Sequence, residues 1–396
     1  MSSATPAPQG EVIVHVFGRT DVGRTREHNE DAFVVADLST DNATLQPEVR
    51  QHRVGAKGSL FMVADGMGGA AAGEIASAMA VDIVLGELRT AWIAQPAQKT
   101  AGAEAFVRAI KQATKSANQQ INAYAANHAE YRGMGTTATI AGILGDTLYL
   151  AQVGDSRAYL VRDGEARQIT KDQSLMQKLI EAGELTEEEA AQSERRNIIL
   201  QALGPEPTVK IDLTHQQVRR GDTLVLCSDG LSGQVTKDEI AAIVSQESDL
   251  TAGCKKLIDR ANANGGPDNI TVILARFDGA GLADPNGDDH VGHRVFPLPE
   301  TGQTPAIGID RLIDAHSPTQ PVPVIERTRT TRPLPAEEMR ESAPAAASAP
   351  TVSPARRNAG RMIAIGLLVL GIAAAAWFIV EHVRDAYSAG ASVTKS

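Results

Sequence analysis

At 396 residues, 42% of them hydrophobic, the chain has room for one large domain or two ordinary ones and enough apolar side chains for a sizeable core. A formal net charge of −10 and a pI near 5.5 argue against a nucleic-acid-binding surface. Two cysteines, Cys227 and Cys254, exclude a disulfide framework or a thiolate metal cage, fit a reducing cytoplasm, and leave oxygen atoms as the ligands of any bound metal.

Residues 1–10 form a short polar leader, expected to be disordered, without the charged start and apolar run of a secretory signal. A first strand is predicted from Glu11 to Gly18. The charged stretch Arg19 to Asp31 then leads into a second strand, Ala32 to Ala36. Arg26 can fork two phosphate oxygens, and it stands four residues from a carboxylate pair, Glu30 and Asp31, able to hold metal-bound waters. Leu60 to Ala64 is an apolar strand that runs into Asp65 and the glycine-rich turn Gly66-Met67-Gly68-Gly69, a rigid mount for a carboxylate at a strand end. Amphipathic helices are predicted over about 72–93 and 103–126. Closely spaced strands at 137–144, 147–153 and 158–162 read as antiparallel hairpins.

Asp155 lies between the last two of these strands, again beside a glycine. From Thr170 to Asn197 the pattern weakens into polar, acidic helical turns, expected to form a mobile surface flap rather than core. Asp229 ends another apolar run and precedes Gly230, as Asp65 precedes Gly66. Helices at about 237–245 and 250–264 lead to Asp268 at the start of a last strand. Past Asp278 the composition shifts: twelve of the nineteen prolines fall between Gly279 and Pro354. A disordered linker is expected over 279–361, with an r.m.s. span on the order of 50 Å if flexible. Residues 362–380 carry no charge and would span about 28 Å as a helix, which predicts a transmembrane segment followed by a short extracytoplasmic tail, 381–396. Arg356, Arg357 and Arg361 precede the span, so the positive-inside rule keeps the large domain, 11–278, in the cytoplasm at the inner (plasma) membrane.

An isolated Asp-Gly pair is usually a turn former. Asp65, Asp155, Asp229 and Asp268, each at the edge of an apolar strand and joined by Glu30 and Asp31, would repel one another unless cations neutralise them. An oxygen-only cluster of this kind suits Mg²⁺ or Mn²⁺. Two such ions a few ångströms apart can generate hydroxide near neutral pH and orient it for in-line displacement at phosphorus. None of the nine histidines shows metal-ligand spacing, and His28 reads as surface.

Six stretches, Arg26-Glu-His-Asn-Glu-Asp, Val63-Ala-Asp-Gly-Met-Gly-Gly, Gly135-Thr-Thr-Ala, Val153-Gly-Asp-Ser-Arg, Cys227-Ser-Asp-Gly-Leu and Asp268-Asn-Ile-Thr, occur in the order that resembles bacterial metal-dependent serine/threonine protein phosphatases of type 2C. The resemblance covers about Val14 to Asp278. It implies an α+β fold, a four-layer α-β-β-α sandwich of two antiparallel sheets flanked by helices, with metals in a cleft at one edge. Transferred motif by motif, it implies that Asp65 bridges two Mn²⁺ or Mg²⁺ ions and that the Gly66 carbonyl binds one of them. Asp229 and Asp268 would bind the other, Glu30 and Asp31 would serve the site directly or through water, and Asp155 would join Asp229 at a weaker third ion. Arg26 would grip the substrate phosphate.

Met67 stands where eukaryotic members have a histidine thought to protonate the leaving alkoxide, which leaves the general acid undetermined, with a metal-bound water preferred. Gln173 stands where relatives often have histidine. The expected function is a membrane-tethered phosphoserine/phosphothreonine phosphatase acting on phosphorylated proteins, opposing a serine/threonine protein kinase and using no nucleic acid. A pseudo-phosphatase that binds phosphoproteins without turnover would require a lost metal ligand, and none of the main acids is missing. A membrane-anchored scaffold displaying the proline-rich segment would release no phosphate, so metal-dependent phosphate release separates the first reading from both others.

Overall fold

The structure, a computed structural model, describes residues 10–40, 51–68, 72–96, 102–287 and 289–299. The chain divides into two units, Met1–Ile309 and Asp310–Ser396, and all of the described residues belong to the first. Twelve strands are described: β1 (Ile13–Asp21), β2 (Asp31–Asp37), β3 (Gln51–Arg53), β4 (Ser59–Met67), β5 (Gly135–Thr136), β6 (Ala138–Leu144), β7 (Thr147–Val153), β8 (Arg157–Arg162), β9 (Glu165–Gln168), β10 (Asp212–Gln217), β11 (Thr223–Cys227) and β12 (Ile270–Asp278). The helices are α1 (Ala72–Leu88), α2 (Ala103–Asn127), α3 (Leu175–Glu181), α4 (Glu187–Gln192), α5 (Asp229–Ser232), α6 (Lys237–Gln246) and α7 (Leu250–Ala263).

The strands form two six-stranded antiparallel sheets, one ordered β3-β1-β12-β11-β8-β9 and the other β10-β7-β6-β4-β2 with β5 paired to β4. Three apolar cores separate four layers. Leu60, Met62 and Ala64 of β4 face Ala76, Ala80, Phe106 and Ile110 of the helices, while Phe61 and Val63 face Val16, Leu160 and Ile273 of the opposite sheet. Both faces of β4 are covered, which explains why it reads as one continuous apolar run and not as an alternation. A third core joins Val225, Val272 and Leu274 to Ile240, Leu257 and Ile258 of α6 and α7. Thr186 with Glu189, and Thr236 with Glu239, close reciprocal capping boxes that start α4 and α6. Asp163 and Gly164 both have positive φ, 51° and 82°, the tight hairpin geometry that joins β8 to β9.

The domain continues past Asp278, where the sequence reading begins the linker. Leu282 and Val291 are buried in the core between the sheets, and Phe296 and Leu298 pack on the core beneath the helices. Residues 290–296 run antiparallel along β10, with Thr214 bridged to Val295, His215 N–H donating to the Arg294 carbonyl and Phe296 N–H donating to the Leu213 carbonyl. Arg219 forks Asp289 at 2.7 Å through both Nε and Nη2, and His293 lies 2.7 Å from Asp212. This strap covers a sheet edge that would otherwise present unpaired backbone groups. Among the described residues no helix is long and apolar enough to cross a membrane. The expected span 362–380, the linker from residue 300 to 361, the tail 381–396 and residues 1–9 of the leader lie outside the described residues.

Candidate active site

Antiparallel register brings the predicted acids to one end of both sheets. Asp31 and Asp65 are direct partners across β2 and β4. Cys227 pairs with Arg157 on one side and Val272 on the other, so Asp229, two residues after Cys227, and Asp268, two before Ile270, emerge at the same end. Thr137 fixes the Asp65 backbone twice: its N–H donates to the Asp65 carbonyl at 2.9 Å, and its hydroxyl accepts the Asp65 N–H at 3.0 Å. The Gly66 N–H donates to the Glu30 carbonyl at 3.1 Å. A Cβ on Gly66 would stand 2.2 Å from the Gly73 carbonyl oxygen and 2.5 Å from that of Glu30, so the close approach of these segments requires glycine.

The electrostatics follow from this convergence. Burial, followed by the charges of Asp31, Asp229, Asp155 and Asp268, holds the Asp65 carboxyl well above the usual carboxylate range. Burial pushes Asp31 up to about 7, against hydroxyl donors from Thr271 and Ser228 that act in the opposite direction. Asp155 is likewise pushed up to about 7, by burial and then by Asp229 and Asp172. Asp229 is raised by burial and by the charge of Asp268, with the neighbouring Asp65 carboxyl and then Arg157 and Arg26 opposing the shift. Glu30 is raised by burial, with Arg26 opposing the shift. Positive charge brought into this cluster would replace protons.

The donor set fits divalent cations. Asp31 Oδ2 accepts from the Ser228 and Thr271 hydroxyls, each at 2.7 Å, whereas Asp31 Oδ1 and Asp155 Oδ1 are buried and have no hydrogen-bond partner among the described residues. Buried carboxylate oxygens without a donor are costly unless a cation or water meets them. No three His, Cys, Asp or Glu side chains among the described residues converge closely enough to hold an ion by themselves.

Arg26 lines the cleft, donating to Asp268 Oδ2 at 2.8 Å and lying 3.7 Å from Glu30. The cleft, about 470 Å³, runs from Asp155, Asp229 and Asp268 to Met176 and Ile180 of α3, Ala190 of α4 and Arg196. Arg157 borders it too, but its guanidinium is committed to Asp172 at 2.7–3.1 Å and to the Tyr159 hydroxyl at 3.2 Å. The side chain of His28 is exposed.

Sequence reasoning did not single out Ser228, Thr271, Asn269 or Thr137 as supports, although each lies inside a stretch that carries the resemblance. For Ser228, Asn269 and Thr271 the signal is local, a hydroxyl or amide one to three residues from a site acid and next to a buried strand, whereas Thr137 lies 72 residues from the Asp65 it supports. Gln173 fastens the flap to the loop bearing Asp155, since its Oε1 accepts the Gly154 N–H at 3.0 Å and its own N–H donates to the Gly154 carbonyl at 2.8 Å.

The family described as Protein phosphatase 2C matches residues 40–274. Serine/threonine phosphatase stp of Listeria welshimeri is 39% identical over 261 residues, covering 66% of this chain and 95% of the relative. Among solved structures, the S. agalactiae serine/threonine phosphatase aligns with a TM-score of 0.56 at 34% identity, covering 66% of this chain and 99% of the other. The catalytic domain of PstP in complex with two manganese ions aligns with a TM-score of 0.54 at 33% identity, covering 67% and 99%. With its two antiparallel sheets flanked by helices and its acids gathered at one end of both, the chain belongs to the protein phosphatase 2C family and is a metal-dependent serine/threonine protein phosphatase.

Proposed function

We propose that this chain hydrolyses phosphoserine and phosphothreonine in proteins at the cytoplasmic face of the plasma membrane, opposing a serine/threonine kinase. The observation that carries the chemistry is the buried carboxylate cluster at one end of the two sheets, with its unpartnered oxygens on Asp31 and Asp155. Asp65 and the Gly66 carbonyl would hold one of a pair of Mn²⁺ or Mg²⁺ ions, Asp65 also reaching the second together with Asp229 and Asp268. Glu30 and Asp31 would act through water, and Asp155 with Asp229 would hold a weaker third ion. Bound there, the pair would supply Lewis acidity and an activated water for in-line attack at phosphorus.

Arg26 would bind the phosphate: it lines the cleft beside Asp268 and Asp229, and its half-exposed guanidinium, held by Asp268 at Nη2 and 3.7 Å from Glu30 at Nη1, keeps N–H donors free for substrate oxygens. Met67 has no exchangeable proton, so the leaving alkoxide would take its proton from water in the cleft. Membrane attachment would come from residues 362–380, on the support of their uncharged length and the arginines before them.

The test is hydrolysis of p-nitrophenyl phosphate and phosphothreonine peptides with Mn²⁺ or Mg²⁺, expected to vanish in EDTA and return on adding metal. Undiminished turnover in chelator would sink the two-metal reading. For the anchor, deleting residues 362–396 should move the protein from the membrane to the soluble fraction.

A further inference from the structure

The loop between β1 and β2, residues 22–30, carries Arg26 and Glu30 yet lies outside any helix or strand. Its ends are tied by other means. The Arg24 N–H donates to the Gly266 carbonyl at 2.7 Å, and Gly23, at φ +82°, leaves no room for a Cβ, which would stand 2.1 Å from the Asp268 carbonyl oxygen. At the other end the Glu30 carbonyl accepts from Gly66. What remains is Thr25 to Asn29, with Arg26 in it. The side chain of Asn269, only 3% exposed, reaches both sides of this stretch. Its Nδ2 donates to the Val22 carbonyl at 3.0 Å and to the His28 carbonyl at 2.9 Å, and its Oδ1 accepts the Glu30 N–H at 2.8 Å. Both amide protons and the carbonyl of one side chain thus go to the backbone of a single loop some 240 residues away in sequence. Asn269 also follows Asp268, the acid that receives Arg26 Nη2. The base of the loop and the partner of its arginine are therefore set by two adjacent residues immediately before β12.

We propose that Asn269 is a positioning residue for phosphate binding, fixing where the Arg26 guanidinium stands by fastening the loop on either side of it. The proposal rests on reading Arg26 as the phosphate-binding group. A buried asparagine that only satisfies backbone groups would contribute to stability alone. One that presents Arg26 acts on phosphate affinity, and acts through Arg26.

The experiment compares Asn269→Ala, Arg26→Ala and the double variant in the full-length chain, measuring KM and kcat for p-nitrophenyl phosphate, the inhibition constant of inorganic phosphate, and Mn²⁺ affinity by calorimetry. Asn269→Ala is expected to raise KM and the phosphate inhibition constant roughly ten-fold while kcat and Mn²⁺ affinity change by no more than about three-fold. The double variant should be little worse than Arg26→Ala alone, because the two residues act as one unit. An Asn269→Ala protein that melts lower but keeps its KM and phosphate inhibition constant overturns the proposal, as does full additivity with Arg26→Ala. If Arg26→Ala itself leaves KM unchanged, the premise fails, a distinct outcome visible in the single variant. Should Asn269→Ala not fold, Asn269→Asp keeps the shape and the acceptor for Glu30 but loses both donors, and the same rise in KM is expected; an unchanged KM there overturns the proposal equally.

Discussion

Asp65 stands opposite Asp31 across the β2–β4 pair and is raised by burial and by the surrounding acids, so it contributes with them to how the metal-free protein answers pH. A carboxyl whose folded pKa is raised is protonated in the folded state where the unfolded chain is ionised, so the folded state binds more protons and stability falls as pH rises. For Asp31 and Asp155, lifted from 3.8 to about 7, the stabilisation is complete below about pH 4 and is lost on the way to about pH 7. Asp65, raised by burial and by its neighbouring carboxylates, contributes in the same direction. The metal-free chain should therefore melt lower across this range as pH rises, and Mn²⁺ should oppose the fall more strongly at each step, because its binding displaces those protons. Asp65→Asn removes one site of the linkage. In thermal melts its metal-free form should match wild type near pH 4 and exceed it above neutrality, while with Mn²⁺ the order reverses. Equal stabilisation of both proteins by Mn²⁺ would show that Asp65 does not bridge the ions.

At the scale of elements, the flap made of α3 and α4 is joined to the site by a short clasp. Besides its two bonds to Gly154, Gln173 donates through Nε2 to the Lys210 carbonyl at 3.1 Å, and Ser174 forms a bridge with Ile199. Gly154 precedes Asp155, so the flap and the peripheral acid share a backbone anchor. Gln173→Ala removes three side-chain hydrogen bonds, those to Gly154 and Lys210 of about 1 kcal/mol each and a longer one to the Gln152 carbonyl at 3.5 Å, enough to loosen the flap several-fold without touching the core of either sheet. Hydrogen exchange over residues 175–200 should accelerate, and kcat/KM for a phosphopeptide should fall roughly five-fold while that for p-nitrophenyl phosphate, too small to reach α3, changes by less than about two-fold. Equal losses for both substrates would place the effect of Gln173 on Asp155 and not on the flap.

For the whole molecule, the boundary of the folded domain matters most. The strap of residues 279–299 lies beyond the matched family region, which ends at 274, yet it inserts Leu282 and Val291 into the core between the sheets and pairs with β10. Burial of these two side chains contributes about 1.5–3 kcal/mol each. A chain ending at Asp278 should therefore melt markedly lower than one ending at Pro299 and should self-associate through the exposed edge of β10, as checked by calorimetry and size-exclusion chromatography. Identical melting of the two chains would mean that the strap only rests on the surface. If the reading of 300–361 as a flexible spacer holds, the chain ending at Pro299 should turn over a soluble peptide as fast as the full-length protein.

How much of this was legible in the sequence follows from how local each signal is. Asp65, Asp229, Asp268 and Asp155 could be read because each combines a buried apolar strand, an acid and a neighbouring glycine within a few residues, and burial on both faces leaves an unbroken apolar run. β10, with Leu213 as its one aliphatic residue, and β3, with none, gave no such run. They are edge strands, and their place depends on partners far along the chain. The strap was missed for the opposite reason: its proline content resembles a linker, and only the exposed edge of β10 and the pocket between the sheets make it part of the domain. The sequence by itself determined the family, because its six stretches are each written in contiguous residues, and through that resemblance it supplied the expected fold class and the candidate acids. Tertiary structure alone decided that Asp31 faces Asp65, that Arg157 is bound to Asp172, and that Asn269 holds the loop of Arg26. Those contacts join segments up to about 240 residues apart, and their geometry comes from strand register and packing, which no local pattern encodes.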